Sequence, residues 1–489
     1  MSIPAGFRAL ALSTSLALAL ALTPGAAAGP IAPHPENPRY FLFDGKPTFL
    51  ITSGEHYGAV LNGDFDFLPY LDELHARGFN LTRTFSGTYR EVPGSFQIRG
   101  NTLAPAPGRY VGPWARSGTP GAADGGNKFD LDVWDEGYFR RLRTFCGEAT
   151  RRGIVVEFVL FCPFYEESLW DVNPLNARNN VNGLGTMPRT EVFTPKHGAM
   201  VARHEAFVRK VVGELKGFDN LYYEVCNEPY FGGVTLDWQA RIARAISEAE
   251  SGMVARHMIA QNVANGSARV SDPIPGASLF NFHYATPPAV LAENAGLRRP
   301  IGDDETGFRG CDDRPYRTEA WAFLIAGGSV FSHLDYSFTV GHEDGSARVA
   351  PPTPGGGGPA LRRQLATLKR FLEGFEFWKM APDRSVIAAG VPGGASAYAL
   401  SEPGRAYAIY LAGGTRADLA LDLPAGRYRV RWVNPRTGEV DKAQDLAHPG
   451  GRLPVASPDY SEDIALRVDA LPGTPGRVIG AGPPGSAGR

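Results

Sequence analysis

Two short acidic segments hold the side chains best suited to chemistry. One is Leu221-Tyr222-Tyr223-Glu224-Val225-Cys226-Asn227-Glu228-Pro229, an apolar aromatic run that passes into an amide, a carboxylate and a chain-breaking proline. The other is Arg298-Arg299-Pro300-Ile301-Gly302-Asp303-Asp304-Glu305-Thr306-Gly307, where a second apolar run ends on acids before a glycine. Retaining hydrolysis of a glycosidic bond needs two carboxyls about 5 to 5.5 Å apart, one protonated to assist the leaving oxygen and one ionised to attack the anomeric carbon. Glu228 and Glu305 are the candidates for this pair. Asp303 and Asp304 compete with Glu305, and strand alternation is expected to point Glu305 and Asp303 to one side. Glu224 is expected deeper on the face of Glu228, as a buried partner.

These segments need a frame that brings distant strand ends together. Eight apolar runs, at 48–52, 80–85, 154–161, 221–226, 257–263, 278–283, 300–304 and 329–334, alternate with amphipathic stretches such as 67–76 and 196–215. In 67–76, Phe67, Leu68, Leu71 and Leu74 share a face and Gly78 is the stop. Eight strand-helix repeats predict an α/β fold, a (β/α)8 TIM barrel over 29–380, and Glu228 and Glu305 then follow its fourth and seventh strands on the face where barrel enzymes keep their sites. No GxGxxG or GxxxxGK[ST] turn argues for a nucleotide fold. Long insertions at 94–130 and 164–194, the second rich in asparagine, are expected to wall a cleft, although flexibility explains the Gly/Pro content of the first equally well.

After Met380 the pattern changes to short alternating runs with Pro/Gly turns, which predicts a small all-β sandwich over 381–470 and a disordered tail over 471–489. Tyr407, Tyr410, Tyr428 and Trp432 are expected in its core, with a sugar-binding surface as the alternative. At the other end, Arg8, an Ala/Leu-rich run and Ala26-Ala27-Ala28 read as a signal peptide over 1–28, so a secreted or periplasmic protein without stable membrane insertion is expected. With 49 basic and 51 acidic residues, nothing favours nucleic acid, and a neutral partner fits better. The four cysteines are too few for a disulfide scaffold, and Cys162 and Cys226 read as apolar filler. His197, His204, His257, His333 and His342 lack a ligand spacing such as HExxH, so neither metal nor cofactor is expected.

On Asn227-Glu228 and Glu305, the chain resembles the retaining glycoside hydrolases of clan A, family 5-like and cellulase-like, over the barrel. Its C-terminal part is similar to the collagen-binding-type β-sandwich that often follows such barrels. The resemblance implies hydrolysis of a polysaccharide or oligosaccharide by double displacement, with Glu228 as the acid/base and Glu305 as the nucleophile. It also implies Arg83 beside the nucleophile, Asn227 on the substrate's 2-hydroxyl, and His283 at the end of the sixth strand. The clan often has a tyrosine two places after that histidine, whereas Tyr284 follows at once, and in place of a tryptophan after the eighth strand the chain reads Phe331-Ser332-His333-Leu334-Asp335-Tyr336. Glu55, His56, Tyr230 and Tyr336 complete the expected substrate-binding set, Glu55 and His56 being open to a reading as rim structure. Tyr57, Phe85, Tyr165 and Trp170 are further aromatic surfaces for a sugar ring. A mechanism on these residues predicts a raised pKa for Glu228, through the charge of Glu305. A binding or adhesive protein that has lost catalysis is the alternative.

Overall fold

The computed structural model describes residues 29–472, so the expected signal peptide and all but the first two residues of the expected tail lie outside them. Each of the eight apolar runs forms a strand: β1 (Leu50–Gly54), β2 (Leu81–Phe85), β3 (Val155–Val159), β4 (Leu221–Glu224), β5 (Ile259–Asn265), β6 (Ala277–His283), β7 (Ile301–Thr306) and β8 (Val330–Leu334). They make one eight-stranded parallel sheet in the order β1-β8-β7-β6-β5-β4-β3-β2. Across the remaining gap, Asn80 Nδ2 donates to the Phe49 carbonyl at 2.8 Å and its Oδ1 accepts from Ile51 N at 3.0 Å. A side-chain amide thus pairs backbone groups where β1 and β2 do not. Every residue of β1, β2, β3 and β4 is buried, as a sheet covered by helices outside and filled by side chains inside requires.

The helices α1 (Phe67–Ala76), α2 (Glu136–Arg151), α3 (Gly198–Leu215), α4 (Leu236–Ala249), α5 (Asp313–Ile325) and α6 (Pro359–Glu373) surround the sheet. Asp66 caps α1 by accepting from Leu68 N at 2.9 Å, and Gly78 ends it at φ +77°. Its buried stripe is Phe67, Tyr70, Leu71 and Leu74; Leu68 faces out instead, because Tyr70 centres the stripe and bonds Thr82 through its hydroxyl at 2.8 Å. The alternation is not strict, since β5 runs to β6 without a helix and only the short helix Ala289–Glu293 and a turn separate β6 from β7.

Both insertions are ordered walls. The strands Trp114–Pro120 and Asn127–Trp134 pair within the first insertion, and Phe129 exchanges backbone bonds with Asn179 and Val181 of the second, at 2.7 and 2.9 Å. The asparagines of the second insertion satisfy loop carbonyls: Asn173 bonds Thr88 at 2.8 Å, Asn179 bonds Asp171 and Asn173, and Asn180 bonds Leu184 at 2.9 Å. Trp170 is buried against Phe164 and serves this packing, not a sugar platform.

The C-terminal region pairs into a six-stranded and a three-stranded antiparallel sheet built mainly from β9 (Ser396–Glu402), β10 (Ala406–Ala412), β11 (Asp418–Leu423), β12 (Gly426–Val433), β13 (Val440–His448), β14 (Gly451–Ala456) and β15 (Asp463–Ala470). Tyr407, Tyr428 and Trp432 are buried in its core, whereas Tyr410 is buried on the face turned to the barrel. It docks on α5, where Arg317 grips both oxygens of Asp463 at 3.0 Å and Trp321 stacks on Tyr410. All four cysteines are free, and only Cys311 is exposed. No helix among the described residues is long and apolar enough to cross a membrane.

Candidate active site

Three non-glycine residues at positive φ aim side chains into the mouth of the barrel: Tyr57 (+60°) after β1, Glu228 (+39°) after β4 and Tyr284 (+53°) after β6. Such backbone is costly for side-chain-bearing residues and clusters where surrounding structure enforces it, at functional sites. The consequence at β6 is direct. His283 and Tyr284 are neighbours that alternation would send to opposite faces, yet both meet the carboxylates, His283 Nδ1 at 3.2 Å from Glu228 Oε1 and Tyr284 Oη donating to Glu305 Oε1 at 2.7 Å.

At β7, alternation fails too. The ladders to β6 and β8 shift register around 303–306, a bulge that places Asp304 and Glu305 together. Asp304 reaches Arg83 Nε at 3.3 Å and Glu305 Oε2 reaches Arg83 Nη1 at 3.2 Å, while Asp303 accepts from Ala285 N at 3.2 Å and lies outside the cavity lining. The expectation that Asp303 shares the face of Glu305 is therefore overturned, and Glu305 is the acid of this run that opens to the cavity.

Arg83 sits among Glu157, Glu224, Asp304 and Glu305, and His283 lies 3.4 Å from Asp304 and 3.6 Å from Glu305 as a second cationic group. Its shortest contact is Nη2 to Glu224 at 2.6 Å, and the same nitrogen donates to Asn227 Oδ1 at 2.7 Å. Asn281 Nδ2 completes the cluster with bonds to Glu157 at 2.6 Å and Glu224 at 2.8 Å. Burial raises Glu224, but Arg83 and Asn281 outweigh it and hold that carboxyl below its usual range. Burial, with the charge of Glu224 added, pushes Glu157 up to about 8 against the pull of Arg83. Glu157, Glu224 and Asp304 present donor atoms within 4.8 Å of one another, as do Glu228, His283 and Glu305; in the first group Arg83 already supplies the positive charge.

Glu228 differs from expectation. Burial alone would raise it, but the His283 hydrogen bond and charge, the Tyr165 hydroxyl at 2.6 Å and Asn265 together hold it well below the ordinary carboxylate range. His283 moves the other way: burial lowers it, and Glu305, Asp304 and Glu228 outweigh that, lifting it to about 9. The histidine between the two carboxyls, absent from the expectation based on Glu305 alone, reverses the sign. One proton belongs to the Glu228–His283 pair as a unit.

The remaining expected residues divide. Asn227 lies in the cavity wall with its amide shared between Arg83 and the Tyr165 hydroxyl, 2.9 Å from Nδ2. Tyr230 Oη sits 3.3 Å from Glu228 Oε1 and 2.5 Å from Asn265 Oδ1. His56 lines the cavity and Tyr336 packs beside it, their rings 5.8 Å apart. Glu55 does not join the site: its carboxylate is buried and accepts from Gly58 N, Ala59 N and Thr102 Oγ1 at 2.8, 3.0 and 2.5 Å, so it ties the rim together. Tyr57, read as a stacking surface, instead donates to Glu305 Oε2 at 3.0 Å and lies against Arg83. Tyr165 likewise serves Glu228. Asn262, Asn265 and Glu91 escaped the sequence reading; for the two asparagines the signal was present in β5, whose first four residues are buried yet include Gln261 and Asn262.

Glu228, Glu305, Asn227, Tyr284, His56 and Glu91 are among the residues that line a cavity of about 590 Å³, within the range of about 300–1,000 Å³ typical of small-ligand pockets. Fold and site together define a (β/α)8 barrel with a paired-carboxylate pocket at the C-terminal ends of its strands, followed by a β-sandwich. No protein-family model and no curated protein matches the chain. Solved structures share the fold across its length. A glycoside hydrolase family 5 protein from Bacteroides vulgatus is 15% identical, with a TM-score of 0.57 over 90% of this chain and 94% of that one. Another structure described as a glycoside hydrolase is 14% identical, with a TM-score of 0.59 over 90% and 97%.

Proposed function

We propose that the protein is an exported, retaining glycoside hydrolase acting on a polysaccharide or oligosaccharide. The observation that carries this reading is the separation of the two carboxylates: oxygens of Glu228 and Glu305 lie within 4.8 Å, both open to one pocket. Retaining enzymes hold their carboxyls about 5 to 5.5 Å apart, whereas inverting ones leave about 6.5–9.5 Å for a water. The glycoside hydrolases with the same fold support it.

Glu305 attacks the anomeric carbon as the glycosidic C–O bond breaks, and Glu228 delivers a proton to the departing oxygen. In the empty site that proton rests on the His283 side of the pair, 3.2 Å from Glu228 Oε1, and it passes to Glu228 as the glycosidic oxygen takes up its place. Glu228 then removes a proton from the water that attacks the glycosyl ester and frees Glu305. Arg83, Tyr57 and Tyr284 keep Glu305 an acceptor throughout, each by donating to it.

A panel of aryl 2-deoxy-2-fluoro-β-glycosides tests the reading by trapping the covalent ester. Peptide mapping should find the label on Glu305. Label on another residue, or activity retained in Glu305→Gln and Glu228→Gln, would refute the assignment.

A further inference from the structure

Resting on the glycosidase reading, we infer that the pocket accepts only the terminal sugar at the non-reducing end of a chain, and that His56 and Glu91 bind the hydroxyls at the far side of that ring. Direction comes from the carboxylates. Glu228 protonates the leaving oxygen, so the aglycone lies on its side with Tyr230, Phe231 and Asn265, and the glycone extends past Glu305 toward His56, Glu91 and Leu103.

That second side is narrowed. The segment 91–103 forms a loop pinned at its neck by Glu91 N to the Leu103 carbonyl at 2.8 Å. Its Thr102 lies so close to Gly58 that a Cβ there would stand 2.2 Å from the Thr102 carbonyl carbon, and a Cβ on Gly100 would stand 2.4 Å from Thr339 Cγ2. At its tip, Phe96 meets Phe308 and Tyr165 edge-on, with ring centres 6.4 and 5.6 Å apart. One loop following β2 is therefore sealed against the loops following β1, β3, β7 and β8. These contacts narrow that side of the pocket, with Phe96 and Phe308 left half-exposed at its rim.

The wall also carries unspent polarity. His56, only 7% exposed, faces Glu91 Oε2 through Nε2 at 3.4 Å as an ion pair, and its Nδ1 has no hydrogen-bond partner. The Tyr336 hydroxyl beside it is likewise buried and unpartnered. Glu91 is held for use: Asn101 Nδ2 donates to Oε2 at 2.5 Å and the Tyr89 hydroxyl to Oε1 at 3.2 Å. Buried polar groups require partners, and a cluster of acceptor and donor groups at the blind end of a pocket is the complement of adjacent sugar hydroxyls.

The test uses the full-length protein on 4-nitrophenyl β-glycosides of glucose, galactose, mannose and xylose, and on β-1,4-linked tetraoses of glucose, mannose and xylose tagged at the reducing end. The first tagged product should be the trisaccharide, with a free monosaccharide released. A tagged mono- or disaccharide as first product would overturn the inference while leaving the glycosidase reading intact. Absence of hydrolysis across both sets, together with no label on Glu305 from the 2-deoxy-2-fluoro glycosides, would sink the glycosidase reading, and this inference with it. His56→Ala should raise KM on a cleaved aryl glycoside by about tenfold or more with a smaller change in kcat, and Phe96→Ala should add tagged disaccharide to the products. An unchanged KM in the first variant would remove His56 from the role.

Discussion

The Tyr284 hydroxyl lies 2.7 Å from Glu305 Oε1 because Tyr284 adopts φ +53°, which turns it onto the same side as the preceding His283. Tyr57 approaches the other oxygen of Glu305 by the same device at φ +60°.

Tyr284→Phe should lower kcat by about 10- to 100-fold, since a hydrogen bond to a charged group contributes about 1.5–3 kcal/mol. Tyr57→Phe should cost less, because Arg83 still holds the same Glu305 oxygen. Steady-state kinetics with an aryl glycoside checks both; equal, negligible effects would remove the tyrosines from the reaction.

Glu228→Ala should lose about 10²–10⁴-fold in kcat on substrates with poor leaving groups and much less on those with activated ones, because only the former need the proton. Added azide should restore turnover by attacking the glycosyl ester without base assistance. Uniform loss across leaving groups would contradict the acid role.

The buried cluster predicts opposite outcomes for two glutamates of similar burial. Glu224→Gln removes the closest partner of Arg83, which keeps Glu305 at 3.2 Å, and should destabilise by about 1.5–3 kcal/mol. Glu157, held protonated up to about pH 8, should tolerate Gln at a cost near zero at neutral pH. Denaturant unfolding compares the pair.

Stability should fall on the alkaline side of neutrality. His283 binds its proton more tightly in the fold, with a pKa near 9 against 6.5 unperturbed, so its stabilising contribution is complete below pH 6.5 and is lost as pH rises through 9. At the acid end His204, buried and lowered to about 3, contributes stability above pH 6.5 that is lost as pH falls toward 3. Glu157, raised to about 8, adds a loss that begins above pH 4.5, so thermal unfolding should show stability falling steadily from neutrality to pH 9, and His283→Gln should flatten that alkaline limb. Activity should decline through the same alkaline window as the Glu228–His283 pair loses its proton.

Asn80→Ala tests barrel closure. It leaves the Phe49 carbonyl and Ile51 N at the β1/β2 gap unpaired, which should cost about 2–3 kcal/mol, measured by urea unfolding.

Barrel strands and the Asn227-Glu228-Pro229 turn were legible in the chain because burial on both faces writes itself as continuous apolar runs, and because each strand is a local object. The sandwich was half legible: β9 to β12 are apolar and alternating, whereas β13 reads Val440-Asp441-Lys442-Ala443-Gln444 and pairs at an edge, so its pairing and not its composition makes it a strand. Alternation, applied as a rule, misassigned what it could not see: a bulge in β7 puts Asp304 beside Arg83, and positive φ at three strand ends redirects Tyr57, Glu228 and Tyr284. Residue types alone thus determined which acids were available and which strands held them. Their protonation, their partners and the blind end of the pocket were decided in the folded chain, because each depends on groups far apart in sequence. His283 reverses the charge preference of Glu228 across 3.2 Å of space, and Phe96 seals against Phe308 across the barrel mouth.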